Sequence, residues 1–459
     1  MARNTPETLA ALQKFLSEQH PSITLLTRSS PEFEAVRACF VKRDSDVPLA
    51  IARPRSAADV QALVQYCVAN DVDFLVRTGG HDCAGRTQVR DVLTIDMRDI
   101  KYVNVAEDEK TATIGGGVLF RDLTKVLDAK GLITPIGTIP TVGYVGWATL
   151  GGYGPFSTSH GLGVDQIVSA KLVDAKGELV DASDELLKGL RGGGGIFGVI
   201  VEMTIKVYPL KEMLVSLLIF ESSDIKKTFV DYCAGYEKLT AEQPLPRSLQ
   251  LQIFGIELPN LGKVLAVAAS WAAPDFENGK IWFNKIAAFG NCLMNNPEPK
   301  KVTAWVETNE NLLTYGSYGR VYTLNVKSYT QKTAEILARH THRIPGVRMA
   351  LSLHTLRVPL PNEESIFPSR TDHHMFELVA TTPAKEDEIK GEEWANEILK
   401  DVRENDPENV MESSYVALTG TDDVDFKVLY GKHYDTLVAL KKKYDPDNVF
   451  KYAVPRLVA

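Results

Sequence analysis

Arg77-Thr78-Gly79-Gly80-His81 is the stretch on which the reading of this 459-residue chain turns. It follows a short apolar run, Phe74-Leu75-Val76, that reads as a strand, so the imidazole sits where a strand ends. The two glycines accept positive φ and carry no Cβ, which lets backbone N–H groups come close to the oxygens of a ligand. That arrangement suits an anion or a pyrophosphate. Taken alone, a Gly-Gly-His is equally a turn whose histidine bonds to its own loop, so the surrounding sequence has to decide.

Downstream, beyond Gly115-Gly116-Gly117 and a helical stretch over 118–130, the chain reads Gly137-Thr138-Ile139-Pro140-Thr141-Val142-Gly143-Tyr144-Val145-Gly146-Trp147-Ala148-Thr149-Leu150-Gly151-Gly152-Tyr153-Gly154. A glycine inside a regular element costs about 0.5–1 kcal/mol. Little of this segment is therefore predicted as helix or central strand, and such a segment usually hugs a large ligand. It continues through His160-Gly161-Leu162-Gly163-Val164-Asp165 into a strand-like run ending at Asp174, and the block Leu190 to Val201, with four consecutive glycines at 192–195, closes the region.

Together these segments resemble the flavin-binding domain of the vanillyl-alcohol oxidase (PCMH-type) superfamily, and within it the berberine-bridge-enzyme-like branch that includes 6-hydroxy-D-nicotine oxidase. The resemblance runs from about Pro54 to Pro209 and returns in Lys443-Tyr444-Asp445-Pro446-Asp447-Asn448-Val449-Phe450. It implies an α+β fold: a PCMH-type FAD-binding domain over residues 1–209, with its core at about 47–209, a substrate domain over 210–420, and a return to the first domain over 421–459. It implies FAD attached covalently through His81. The implied cofactor-binding set is Arg77, Thr78, Gly79, Gly80, His81, Asp82, Gly85, Thr141, Val142, Gly143, Gly146, Gly151, Gly152, Tyr153, Gly198, Val199 and Asn448. Many relatives attach the flavin a second time through a cysteine just before Pro-Thr-Val-Gly. Ile139 stands there in this chain and offers no thiolate, so a single attachment is expected. Ile196, where the family often has Asn, and the tail Lys451 to Pro455 also depart from the pattern.

Composition narrows the partners. A formal charge of −8 without a basic stripe argues against nucleic acid. No apolar run is long enough to span a membrane, and the N-terminus lacks the apolar region of a secretory signal. Five scattered cysteines without metal or redox spacing fit reduced thiols, and a cytoplasmic monomer or homodimer is expected. No metal site is expected: His340 and His342 do not share a helix face, and solvated histidines are the simpler reading for them and for His373-His374.

Ser56 reads as the N-cap of a helix running through Cys67. From about Leu210 the glycine density falls. Apolar strand runs (214–220, 249–254, 264–270) then alternate with helical stretches (225–239, 276–288, 333–342, 385–402), which predicts an antiparallel sheet covered by helices on one face and set over the flavin ring.

Flavin oxidation of a C–H bond requires a proton acceptor when the carbon carries O–H or N–H. Two candidates stand out. Tyr153 follows Gly151-Gly152, and relatives use a tyrosine there as a catalytic or base-assisting group; packing against the flavin ring is the plainer role. Glu377 lies in His374-Met375-Phe376-Glu377-Leu378-Val379-Ala380, where alternation puts it on a face with Met375 and Val379. An apolar row is expected to raise its pKa by desolvation, although an exposed edge-strand glutamate fits the same pattern. The reading is an FAD-dependent oxidase or dehydrogenase of a small, fairly apolar molecule in specialised metabolism. Dioxygen is the expected reoxidant, since Val142 is smaller than the leucine that the family associates with blocking oxygen. A non-redox isomerase or cyclase with Glu377 as proton shuttle is the alternative.

Overall fold

Three sheets organise the protein, whose computed structural model describes residues 6–346, 348–357, 364–420 and 424–458. In the first sheet Phe74–Arg77 lies parallel to Leu93–Asp96, which lies parallel to Ile51–Arg53, and Thr24–Leu26 closes the edge antiparallel. The helix Ala57–Ala69 crosses from Ile51–Arg53 to Phe74–Arg77, and Ser56 caps it by accepting the N–H of Asp59 at 3.2 Å. Its apolar residues Val60, Leu63, Val64 and Cys67 pack with Phe74, Leu93 and Ile95 of this sheet and with Val173, Val199 and Val201 of the next.

The second sheet is antiparallel, in the order Val103–Val105, Thr111–Gly115, Val199–Lys206, Ile167–Val173, Leu179–Asp181. Its core takes in Leu123 and Leu127 of the helix Phe120–Asp128, which is shorter at both ends than the stretch 118–130, and Leu437 and Leu440 of the helix Tyr434–Tyr444. The C-terminal helix thus shares a core with residues 112–210. The glycine-rich stretch holds one short helix, Tyr144–Thr149, that its composition argued against. It forms because Tyr144, Val145, Ala148 and Thr149 are buried while Gly146 falls on the exposed side.

The third sheet has eight strands, and its neighbours pair antiparallel throughout. The path is Cys292–Met294, Met213–Phe220, Gly262–Trp271, Leu249–Leu258, Ala350–Leu356, His373–Thr382, Tyr318–Val326, with Glu298–Lys300 beside Met213–Phe220. The helices Ile225–Glu242, Phe276–Ala287, Gln331–His342 and Glu388–Asn405 bury one face, meeting Leu251, Leu353, Phe376 and Leu378. Strand alternation turns Met375 and Glu377 the other way, and Met375 packs with Phe40, Tyr153 and Leu162. The fold is α+β, with the expected one-sided cover of helices on an antiparallel sheet. All five cysteines are free. Among the described residues no helix is long and apolar enough to cross a membrane, and no three His, Cys, Asp or Glu side chains cluster as metal ligands would.

Candidate active site

The strand Phe74–Arg77 ends because its continuation is needed elsewhere. A Cβ on Gly79 would lie 2.4 Å from the Gly143 nitrogen and the Thr141 oxygen, and one on Gly143 would lie 2.5 Å from Thr78 Cγ2. The two motifs, 60 residues apart, are therefore packed backbone against backbone. Gly80 turns the chain at φ +69°. His81 then sits between Phe40 and Tyr315, with ring centroids 5.7 and 5.1 Å away, and its Nε2 is 2.6 Å from Thr141 Oγ1. Burial, helped by the charge of Arg121, pushes the imidazole down to about 3, so the ring is neutral and keeps a nucleophilic lone pair. The N–H groups of Gly79, Gly80, His81, Asp82 and Cys83 donate to no acceptor among the described residues. A run of free backbone donors of this kind is what an anionic ligand requires.

The rest of the loop is locked. Asp82 accepts from the Arg86 guanidinium and from the N–H groups of Ala84 and Arg86, and Gly85 takes φ +77° where a Cβ would strike the Arg43 side chain. Arg77 is committed inward: its guanidinium donates to Asp96 at 2.6 Å and to the carbonyls of Val36 and Arg37. Its Nε–H is buried without a partner among the described residues. Val142 is half-buried beside Thr141, and a Cβ on Gly146 would meet nothing within 4 Å, leaving open space next to that helix.

Gly151 and Gly152 have φ of +126° and +82°. Their missing side chains are replaced by protein: a Cβ on Gly151 would enter the Phe367 ring at 2.6 Å, and one on Gly152 would reach the Gly163 backbone at 2.6 Å. Glycine is thus required at both positions whether or not a ligand lies against them. Backbone angle and packing demand it. Tyr153 is 6% exposed, with its ring 4.7 Å from Tyr415 and 6.0 Å from Phe367. Its hydroxyl is buried beside that of Ser369, which acts to lower its pKa, but neither hydroxyl makes a hydrogen bond of good geometry among the described residues. Burial and the nearby Tyr415 push the Tyr153 phenol well above its ordinary value. Tyr415 is displaced the same way by burial, and its hydroxyl accepts from the Gly152 N–H at 3.2 Å. Farther off, Gly198 is held by Leu172 and Val199 is buried in the second sheet, while Asn448 turns at φ +52° with its Oδ1 buried and unpartnered.

Glu377 is where the uncovered face of the third sheet becomes polar. Its side chain is 16% exposed, and its Oε2 lies 2.9 Å from His354 Nε2 and 3.0 Å from Ser352 Oγ. Gln252 Nε2 completes the cluster, 2.9 Å from Ser352 Oγ. Facing it across the sheet, Tyr415 and Cys83 are close enough to feel its charge. The expected rise in its pKa is corrected here. Burial acts to raise it, but the hydrogen bond and charge of His354 and the Ser352 hydroxyl outweigh burial and hold the carboxyl below its ordinary value. Glu377 is a buried carboxylate with donors, so it stays ionised.

The histidines also differ from expectation. His340, His373 and His374 are buried, with His340 Nε2 2.8 Å from Asp401 and His374 stacked on Tyr329. Three participants escaped the reading of the sequence. His354 and Ser352 were detectable, because Leu351-Ser352-Leu353-His354 alternates as plainly as the strand of Glu377. Tyr415 has no such pattern around it.

With this geometry in view, similarity to other proteins is informative. An FAD binding domain matches residues 48–183, and a berberine and berberine-like segment matches 422–454. The FAD-linked oxidoreductase aurO of Gibberella zeae is 31% identical over 462 residues, covering 98% of this chain and 88% of that protein. (R)-6-hydroxynicotine oxidase of Paenarthrobacter nicotinovorans is 34% identical over 196 residues, 42% of this chain and 43% of the relative. In fold, glucooligosaccharide oxidase of Acremonium strictum, described with a 6-S-cysteinyl, 8α-N1-histidyl FAD, superposes with a TM-score of 0.79 at 20% identity, over 98% of this chain and all of that one. The chain belongs to the FAD-linked oxidoreductases of the berberine-bridge-enzyme-like branch.

Proposed function

We propose that this enzyme is an oxidase of a small, fairly apolar organic molecule of specialised metabolism, that dioxygen reoxidises it, and that its FAD is attached through His81 alone. The observation that carries the oxidase reading is Glu377: an ionised carboxylate held by two donors, His354 and Ser352, on a sheet face shared with Met375, Val321 and Leu356 and lying across from Tyr153 and Tyr415. A buried, ionised proton acceptor suits a substrate whose carbon bears O–H or N–H. When bound, FAD supplies the hydride acceptor at N5 and passes the electrons on. Glu377 takes the substrate proton in this reading, because both tyrosines are held protonated by burial.

The residues fit the cofactor. The unpartnered N–H groups of 79–83 and the neutral imidazole of His81 are the two features that such a ligand would use. Thr141 engages His81 Nε2, which leaves Nδ1 as the attaching nitrogen. A second attachment lacks a nucleophile: Ile139 is aliphatic, and burial raises the thiols of Cys39 and Cys83 above their ordinary values. The same reading assigns residues 1–209 and 421–459 to flavin binding and 210–420 to substrate, supported by the core that the helix Tyr434–Tyr444 shares with residues 112–210.

Two measurements test this. Acid-precipitated protein should stay yellow and yield one flavinylated peptide, containing His81; free flavin in the supernatant defeats covalent attachment, and a second modified peptide defeats the single link. A screen of small aromatic alcohols, phenols and amines under anaerobic conditions should find compounds that bleach the flavin absorbance, with recovery on admitting air. Turnover without bleaching would replace the oxidase with the isomerase or cyclase.

A further inference from the structure

We propose that His354 is the positioning residue of Glu377: its Nε2–H and the Ser352 hydroxyl grip one carboxylate oxygen, Oε2, and thereby reserve the other, Oε1, for proton transfer. The use of Oε1 rests on the base role just given to Glu377, whereas the grip itself does not. The strands set it up. Ser352 is directly opposite Glu377 across Ala350–Leu356 and His373–Thr382, and His354 is the diagonal neighbour on the same face, opposite Met375. On the far side Gln252 is opposite His354.

The donor assignment follows from chemistry. A carboxylate only accepts, so a ring nitrogen 2.9 Å from it must carry hydrogen; the other tautomer would set a lone pair against Oε2. Ser352 lies 3.0 Å from the same oxygen, and its hydroxyl donates there while accepting from Gln252 Nε2 at 2.9 Å. His354 Nε2 also lies 3.2 Å from Ser352 Oγ and 3.3 Å from Gln252 Nε2; with Nε2 protonated the latter contact is no hydrogen bond, and the His354 and Ser352 hydrogens share Oε2 as their acceptor. All hydrogen bonds of the carboxylate within the described residues fall on Oε2. The groups facing it across the sheet, the Tyr415 phenol and the Cys83 thiol, are both kept neutral by burial, which leaves the hydrogen bonds of His354 and Ser352 to hold the carboxylate in its ionised form.

The test titrates the carboxyl directly in the flavin-loaded enzyme. In pH-difference infrared spectra, the protonated-carboxyl band that disappears in Glu377→Gln belongs to Glu377. In the unsubstituted protein that band should have its midpoint below the ordinary glutamate value of about 4.3. His354→Phe, which removes the donor and leaves burial uncompensated, should raise the midpoint by about one pH unit or more, whereas His354→Gln, which restores an N–H, should stay within about half a unit. Ser352→Ala should raise it less than His354→Phe, and it serves as the test if His354→Phe does not fold. An unchanged midpoint in the folded donor-deletion variants, or an equal rise in His354→Gln and His354→Phe, overturns the proposal. Failure of the base role looks different: Glu377→Gln would keep its turnover while the midpoint still moved in His354→Phe.

Discussion

Two buried carboxylates, one in each half of the molecule, have opposite surroundings. Asp96, at the end of a strand beside the loop of His81, is fully buried and used up: Arg77 and Arg98 donate to it with their guanidiniums, and the Arg98 N–H adds a further bond. Burial would raise its pKa, but the two arginines hold it down at about 2. Glu377 is also held below its ordinary value, yet by an imidazole and a hydroxyl that crowd a single oxygen. A carboxylate saturated by permanent cations cannot accept a proton at any working pH. One held on one side by weaker donors can. The partners, more than the burial, separate a structural ion pair from a carboxylate left free to take a proton.

The largest expected effect is on Glu377. Glu377→Gln should keep fold and flavin, being nearly isosteric, while turnover on any substrate found by bleaching drops roughly 10²–10⁴-fold. In the unsubstituted enzyme the acidic limb of kcat/KM should lie below about 4.3 and vanish in the variant. Near-normal rates would erase the contrast with Asp96.

Next comes Asp96→Asn, which strands Arg77 with its side chain 3% exposed and should cost about 3–5 kcal/mol in denaturant unfolding, because an unpaired buried charge is left behind. The pH dependence has a definite sign. The folded pKa is depressed, so the stabilisation is complete above the unfolded value of about 3.9 and fades as pH falls toward about 2. The stability gap between Asp96→Asn and the unsubstituted protein should therefore shrink on acidification across that window. A gap that widened would mean that the guanidiniums are not what Asp96 serves.

Tyr153→Phe is the smallest. Its hydroxyl makes no hydrogen bond of good geometry among the described residues, so stability should hold or rise slightly, and turnover should fall less than in Glu377→Gln. A loss exceeding that of Glu377→Gln would move the base from the sheet to the glycine-rich loop.

How much of this was readable in the sequence depends on the distance between interacting residues. Glycine runs announce themselves locally, and the alternation around Glu377 identified its strand and its face, because both signals are confined to a few consecutive residues. The sign of its pKa shift was not readable. It depends on His354, 23 positions earlier, and only the pairing of two strands makes them neighbours. Tyr415 is 262 residues from Tyr153, and no local pattern brings such rings to 4.7 Å. Gly151 and Gly152 were recognised as special for a reason to which the structure adds another: crowding comes from Phe367 and Gly163, which were invisible from the loop itself.

The interlock of Gly79 with Gly143 has a consequence for anyone redesigning this protein. Each residue's missing side chain is the room into which the other segment fits. The two loops thus behave as one inherited unit: a substitution at either position has no compensating change within its own loop, and a graft from a relative should carry 78–81 and 141–143 together.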